Sequence, residues 1–151
     1  VLLMTVTLSW PDIRRAARVG VERHLAALDR QLPDKHGYAG DGWSIHIEGA
    51  IGECAVAHAL GRPWDASVNT FKSRPDVGPV EVRTRSRDDY ELIVRVDDRD
   101  DSPYVLVVGR APTYRVVGWC WGHEAKRPEW VRTHGDRPPA YFVPQSALRP
   151  L

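Results

Sequence analysis

The chain is short of residues that several protein classes depend on. It has two cysteines, Cys54 and Cys120, in 151 residues. That is too few for the disulfide framework of a small secreted domain, and both sit in apolar contexts. There is no apolar run of about 18 residues, the length a membrane-spanning helix requires, so no membrane span is expected. The N-terminal "VLLMTVTLSW" is apolar but short. Without a basic start or a small-residue cleavage site it does not read as a signal peptide. Met4, the sole methionine, is a candidate true start, and a cytosolic compartment is the default expectation.

Charge of one sign is also scarce. The formal net charge is +1, which excludes the uniformly basic surface of a non-specific nucleic-acid coat. Lysine is limited to Lys35, Lys72 and Lys126, so arginine carries most of the positive charge. Guanidinium forks suit phosphate recognition, although a GC-rich genome produces the same bias. What the chain does contain, 42% hydrophobic and 27% charged residues, fits one globular domain over residues 1–151 with a sizeable core.

Periodicity predicts two helices first. Ser9 is placed to cap a helix over about 9–32, with Pro11 and Asp12 in its first turn. Ile13, Ala17, Val21, Leu25, Leu28 and Leu32 recur at helical spacing, and Pro33 ends the run. A second helix is expected from about Ile45 to Leu60, closed by Gly61. From Gly49 to Leu60 its only strongly polar side chains are Glu53 and His58, the mark of a buried helix. Strands follow: "NTFKSR", "VEVRTR", "ELIVRV", "YVLVV" and "YRVVGWCW", then a short helix near His123 to Val131, broken at Pro128, and "AYFVP". The order predicts an α/β fold of mixed α+β type, a central mixed sheet of four to five strands flanked by helices.

Glu53 opens the question of chemistry. A carboxylate on a buried helix needs a partner. A salt bridge to one of the arginines would serve, and so would a metal ion. In "RPDVGPVEVRTR", strand alternation sends Glu81, Arg83 and Arg85 to one face and Val80, Val82 and Thr84 to the core. Asp76 stands five residues before Glu81, across Val77, Gly78 and Pro79. A tight turn would set the two carboxylates side by side, and a hard divalent cation relieves their repulsion. The bland alternative is a half-exposed strand with a solvated charged face.

Other constellations are weaker. Cys54 with His58 and Cys120 with His123 make a tetrahedral zinc set by residue type, without the spacing of known knuckles. "DDRDD", Asp97 to Asp101, lacks the glycine and closing acid of a calcium loop and reads as a turn. Trp119, Trp121 and Trp130, with Arg115, Lys126, Arg127 and Arg132 nearby, could stack bases and touch phosphates. Arg14, Arg15 and Arg18 read as a solvated helix face.

"PDVGPVEVR", preceded by a helix carrying "GAIGE", resembles the PD-(D/E)XK nuclease superfamily. "EVRTR", "LIVR", "YVLVVG" and "YRVVGWCWG" are similar to its small phage-type members, so the likeness spans about Ile45 to Leu151. The resemblance implies a restriction-endonuclease-like fold and metal-dependent hydrolysis of DNA, usually with Mg²⁺ or else Mn²⁺, in a phage or bacterial host cytosol. Asp76 and Glu81 would ligate the metal, with the Val82 carbonyl, and Glu53 would complete or orient the site. Arg83 stands where the family has lysine. It cannot act as a base, but it can stabilise the charge of the transition state. Arg85 and Lys72 are candidate nucleic-acid contacts, and Lys72 could replace the motif lysine if its strand lies beside the site. Small nucleases of this kind often dimerise, which admits a homodimer. A catalytically inactive member that binds nucleic acid or protein is the second expectation. A structural protein whose acids form salt bridges is the third. The catalytic reading requires the Glu53, Asp76 and Glu81 carboxylates to converge on one ion, at roughly 2.0–2.6 Å per ligand.

Overall fold

The computed structural model describes residues 4–30, 41–68 and 75–151. The expected strand "NTFKSR", Lys72 within it and most of the Asp34–Gly42 loop lie outside the described residues.

The described elements run β1 (Met4–Thr7), α1 (Trp10–Asp29), α2 (Gly42–Leu60), β2 (Glu81–Arg85), β3 (Leu92–Arg95), β4 (Pro103–Arg110), β5 (Thr113–Trp121), α3 (Gly122–Ala125), β6 (Val131–Arg132) and β7 (Ala140–Val143). The caps act largely as their residue types dictate. The Ser9 hydroxyl accepts from the Asp12 N–H at 3.2 Å and starts α1. Asp41 caps α2, accepting from the Trp43 N–H at 3.0 Å, so that helix begins three residues before its apolar run. Gly61 ends α2 in the left-handed region, φ 62°.

β1, β5, β4 and β2 form a four-stranded sheet in that order, with β2 parallel to β4 and the other pairs antiparallel. β2 is thus an edge strand among the described residues. β3, β7 and β6 make a second, antiparallel sheet. The fold is mixed α+β, and its central sheet has the expected size and mixed polarity. Strand alternation gives that sheet two buried faces. Val82, Val105, Val107, Tyr114 and Val116 pack with α1 and α2, whereas Tyr104, Leu106, Val108 and Cys120 pack with Leu92, Val94 and Val143 of the second sheet. An extra residue in β5, Val117, shifts its register against Leu106 and Val107. The shift moves Trp119 onto the helix side and Cys120 onto the other.

Two details differ from expectation. "MTVT" forms strand β1, its side chains alternating between half-buried and exposed, and adds itself to the edge of β5. The buried stripe of α1 is rotated from the predicted one. Ile13, Ala16 and Gly20 are buried, whereas Leu25 and Leu28 are 43% and 56% exposed. Close helix packing is the reason. A Cβ at Gly20 would lie 2.5 Å from the Ile47 Cα, so the contact face of α1 must run through its smallest residues.

The same closeness recurs between α2 and β2, where a Cβ at Gly52 would sit 1.9 Å from the Thr84 Oγ1. That hydroxyl is buried and has no hydrogen-bond partner among the described residues. Thr84→Val keeps the branched shape and removes the unpaired group. It should raise stability by roughly 1 kcal/mol, read as a higher denaturant midpoint at unchanged slope.

Candidate functional site

The turn before β2 builds the centre of the site. Val77 and Val80 exchange backbone hydrogen bonds of 3.0 and 2.9 Å, closing a loop of two residues. Gly78 takes the positive φ, 54°, that such a turn demands, and Pro79 follows it. Asp76 and Glu81 flank the closed pair, so the chain brings their carboxyls together. The Asp76 charge acts directly on Glu81. Asp76 is also fixed to the sheet: its Oδ2 accepts from the Val82 N–H at 2.8 Å. The Val82 N–H therefore points away from β4. In a strand the carbonyl of the same residue projects to that side too, so it also faces the edge of β2 that no described strand covers, where Arg83 Nη1 approaches it at 3.5 Å.

Electrostatics mark this pair. Burial first, then the Asp76 charge, raise Glu81 to about 7. Burial and Asp76 also raise Glu53 to about 7, against the pull of Arg23. Asp76 is the acid that both neighbours feel, and it sits between them electrostatically.

Glu53 has found its partner in protein. Arg23 on α1 grips it with a two-pronged contact, Nη1 to Oε2 at 2.6 Å and Nη2 to Oε1 at 3.0 Å. Trp64 Nε1 donates to Oε1 at 3.3 Å. Arg83 is likewise held: its Nη2 meets Asp98 Oδ2 at 2.9 Å and its guanidinium lies 4.9 Å from the Tyr104 ring centre. Burial alone would lower the Arg83 pKa, but Asp98, with Asp76 and Glu81 behind it, holds it above the ordinary value. Arg23, Glu53, Asp76, Glu81, Arg83 and Asp98 thus form one chain of charges, and among the described residues no ion pair is made by the two acids at its centre.

The expected convergence of three carboxylates on one ion is not found. Among the described residues no group of three or more His, Cys, Asp or Glu side chains is placed to hold a metal ion. Glu53 is instead engaged by protein, the Arg23 fork contacting both of its oxygens. What remains is two carboxylates and the Val82 carbonyl. That donor set fits Mg²⁺, which is commonly bound by one or two carboxylates, several waters and substrate phosphate oxygens. Glu53 acts on the pair through charge.

Strand alternation places Glu81, Arg83 and Arg85 on one face, with Val82 buried on the other and Thr84 against Gly52. Arg85 nevertheless leaves the acid pair. It donates to the Glu91 carbonyl at 3.0 Å and covers Tyr90 at 4.1 Å. The zinc set does not form. Cys54 and Cys120 are buried in the two different cores, and burial pushes both thiols up to about 11. His58 is exposed and meets Asp12 at 3.1 Å. Trp119 and Trp121 share an edge-to-face contact, centres 5.5 Å apart, and Arg149 lies over Trp119.

Sequence reasoning missed Arg23 and Asp98. Arg23 continues the stripe Ile13, Ala16, Gly20 at helical spacing, which was the available signal. Asp98 sits in the "DDRDD" turn, where it also accepts from the Arg95 N–H at 2.7 Å. Nothing local separates it from its neighbours.

Comparison with known proteins finds no matching family model, no matching curated protein and no matching solved structure. Among the described residues, no helix is long and apolar enough to cross a membrane.

Proposed function

We propose that the chain is a metal-dependent nuclease acting on DNA through a two-carboxylate site, in place of the three-carboxylate site that the sequence reading required, with Asp76, Glu81 and the Val82 carbonyl as the ligands of Mg²⁺ or Mn²⁺. The observation that carries this is the placing of Asp76 and Glu81 on either side of the closed Val77–Val80 turn, with Asp76 tied to the Val82 N–H and Glu81 raised to about 7 by burial and the Asp76 charge. Two carboxyls that oppose each other in this way favour taking up a proton unless a cation neutralises them. When bound, the metal supplies an acidified water and polarises phosphoryl oxygens. The residues of the chain do the rest. Glu53, clamped by Arg23, keeps negative charge behind Asp76. Arg83, held by Asp98, presents a fixed positive charge beside Glu81 and offsets negative charge developing on phosphate.

Incubation of DNA with the protein and Mg²⁺ or Mn²⁺ tests this. Cleavage that EDTA abolishes is expected, and no cleavage under any divalent cation counts against catalysis. A second reading has its own support: Glu53 and Arg83 are both engaged by protein partners. That favours a member of the same fold that binds nucleic acid without cutting it. DNA binding without cleavage in every divalent cation would select it.

Metal affinity should depend on pH. Both carboxylates must be ionised to bind, so binding releases the proton held at Glu81. The Mn²⁺ association constant is expected to rise about tenfold per pH unit below 7 and to level off above it. Calorimetry across pH 5.5 to 8.5 measures this, and a flat profile would argue against the pair as ligands.

A further inference from the structure

Beyond the acid pair, the same face of β2 leads to a cleft of about 310 Å³. Arg85, Arg95, Arg132 and Arg137 line it, with Glu91 as the single carboxylate among its lining residues. Glu91 accepts from Arg132 Nη1 at 3.0 Å. Burial lowers the Arg85 pKa against the pull of Tyr90 and Glu91, and Arg137 adds a smaller repulsion. The arginines are also braced. Arg85 lies 4.1 Å from the centre of the Tyr90 ring, and Arg132 lies 5.7 Å from that of Phe142. Rings behind guanidinium groups hold their planes in place, which favours the forked contacts that phosphate oxygens accept.

Position gives the cleft its meaning. Arg85 is four residues beyond Glu81 on the same strand face, about 13 Å away at 3.3 Å per residue. At a helix rise of about 3.4 Å per nucleotide, that is a span of a few nucleotides of a DNA strand. A strand with one phosphate at the acid pair therefore reaches the cleft with a later one.

We propose that this cleft is a phosphate-binding subsite that grips the nucleic-acid strand several nucleotides from the Asp76–Glu81 pair. The inference rests on the nucleic-acid reading above and not on cleavage. The shared chemistry is a phosphate group, and its source is taken to be a strand phosphate rather than free phosphate or a mononucleotide.

The test is binding of a labelled DNA oligonucleotide to the whole chain in EDTA, where no cutting occurs, by fluorescence anisotropy over a range of salt. Arg132 is exposed and Arg137 half-buried, and an unchanged melting temperature would verify that Arg132→Gln/Arg137→Gln still folds. This double variant should weaken binding about tenfold or more. It should also flatten the plot of log affinity against log salt by about one unit for each duplex phosphate released. Arg132→Lys/Arg137→Lys should restore most of the salt slope, because it keeps the charge. Affinity and slope equal to wild type in the glutamine variant would overturn the proposal. Competing inorganic phosphate and a nucleoside monophosphate separate the sources. Weak competition at millimolar levels supports a strand phosphate. Binding of either as tight as the oligonucleotide, lost in the same variant, would assign the cleft to a small anion and overturn the strand assignment. If no cleavage is ever seen but the variant still loses DNA binding, the cleft stands while the nuclease reading falls.

Discussion

Arg23→Ala is expected to cost about 3–5 kcal/mol of folding stability at pH 8 and distinctly less at pH 5. Glu53 is only 6% exposed and takes both prongs of the Arg23 guanidinium. Removing the arginine leaves a buried carboxyl whose remaining side-chain donor among the described residues is the indole N–H of Trp64, at 3.3 Å. The pH dependence follows from the sign of the shift. Burial and Asp76 raise Glu53 from 4.5 to about 7 in the folded chain. A group raised in this way stabilises the fold fully below pH 4.5, and that contribution is lost as pH rises through about 7. Without Arg23 two of the three influences that lower the value disappear, so it climbs further. At pH 5 the carboxyl is then protonated at little cost. At pH 8 folding must either bury an unpaired charge or take up a proton. Chemical denaturation at the two pH values measures the difference. Glu53→Gln should show a smaller loss with little change between them, since it removes the charge that titrates. Equal destabilisation of Arg23→Ala at both pH values would mean that the pair does not carry the electrostatics assigned to it.

Asp76→Asn is expected to lower divalent-cation affinity by more than about a hundredfold, beyond the 10–100-fold typical of losing an outer-shell partner. It should abolish cleavage while the fold survives. The amide oxygen of asparagine can still accept from the Val82 N–H, so the 2.8 Å bond that ties the turn to β2 is retained. What disappears is one of two adjoining negative charges. With that repulsion gone, the metal-free variant should be at least as stable as wild type above pH 7, where Glu81 would otherwise have to ionise beside Asp76. Loss of metal binding without loss of stability separates a ligand from a structural acid. A large drop in melting temperature with metal affinity unchanged would reverse the assignment.

Much of this was legible because it is local. The Ser9 and Gly61 caps, the tight Val77–Val80 turn and the alternation that buries Val82 depend on neighbours a few residues away. So does the placing of Asp76 beside Glu81, since a two-residue loop admits little else. What the sequence hid is long-range. The partner of Glu53 comes from α1, 30 residues earlier, and its position depends on how Gly20 lets two helices approach. Arg83 meets Asp98 across a turn that contains several aspartates of equal promise. The arginine cleft draws on β2, β3 and the segment around Arg132 to Arg137, which adjoin only once the second sheet has formed against the first. Hydrophobic alternation predicts that "ELIVRV" and "AYFVP" are strands, but it does not say that they leave the central sheet and pair with each other.

The central claim is that Asp76 and Glu81 form a divalent-cation site. The most direct measurement is Mn²⁺ binding by calorimetry at pH 8, on wild type and on Asp76→Asn. The account predicts one Mn²⁺ site in the wild-type chain and no measurable site in the variant. Equal binding by both chains, or none by the wild type, would contradict it.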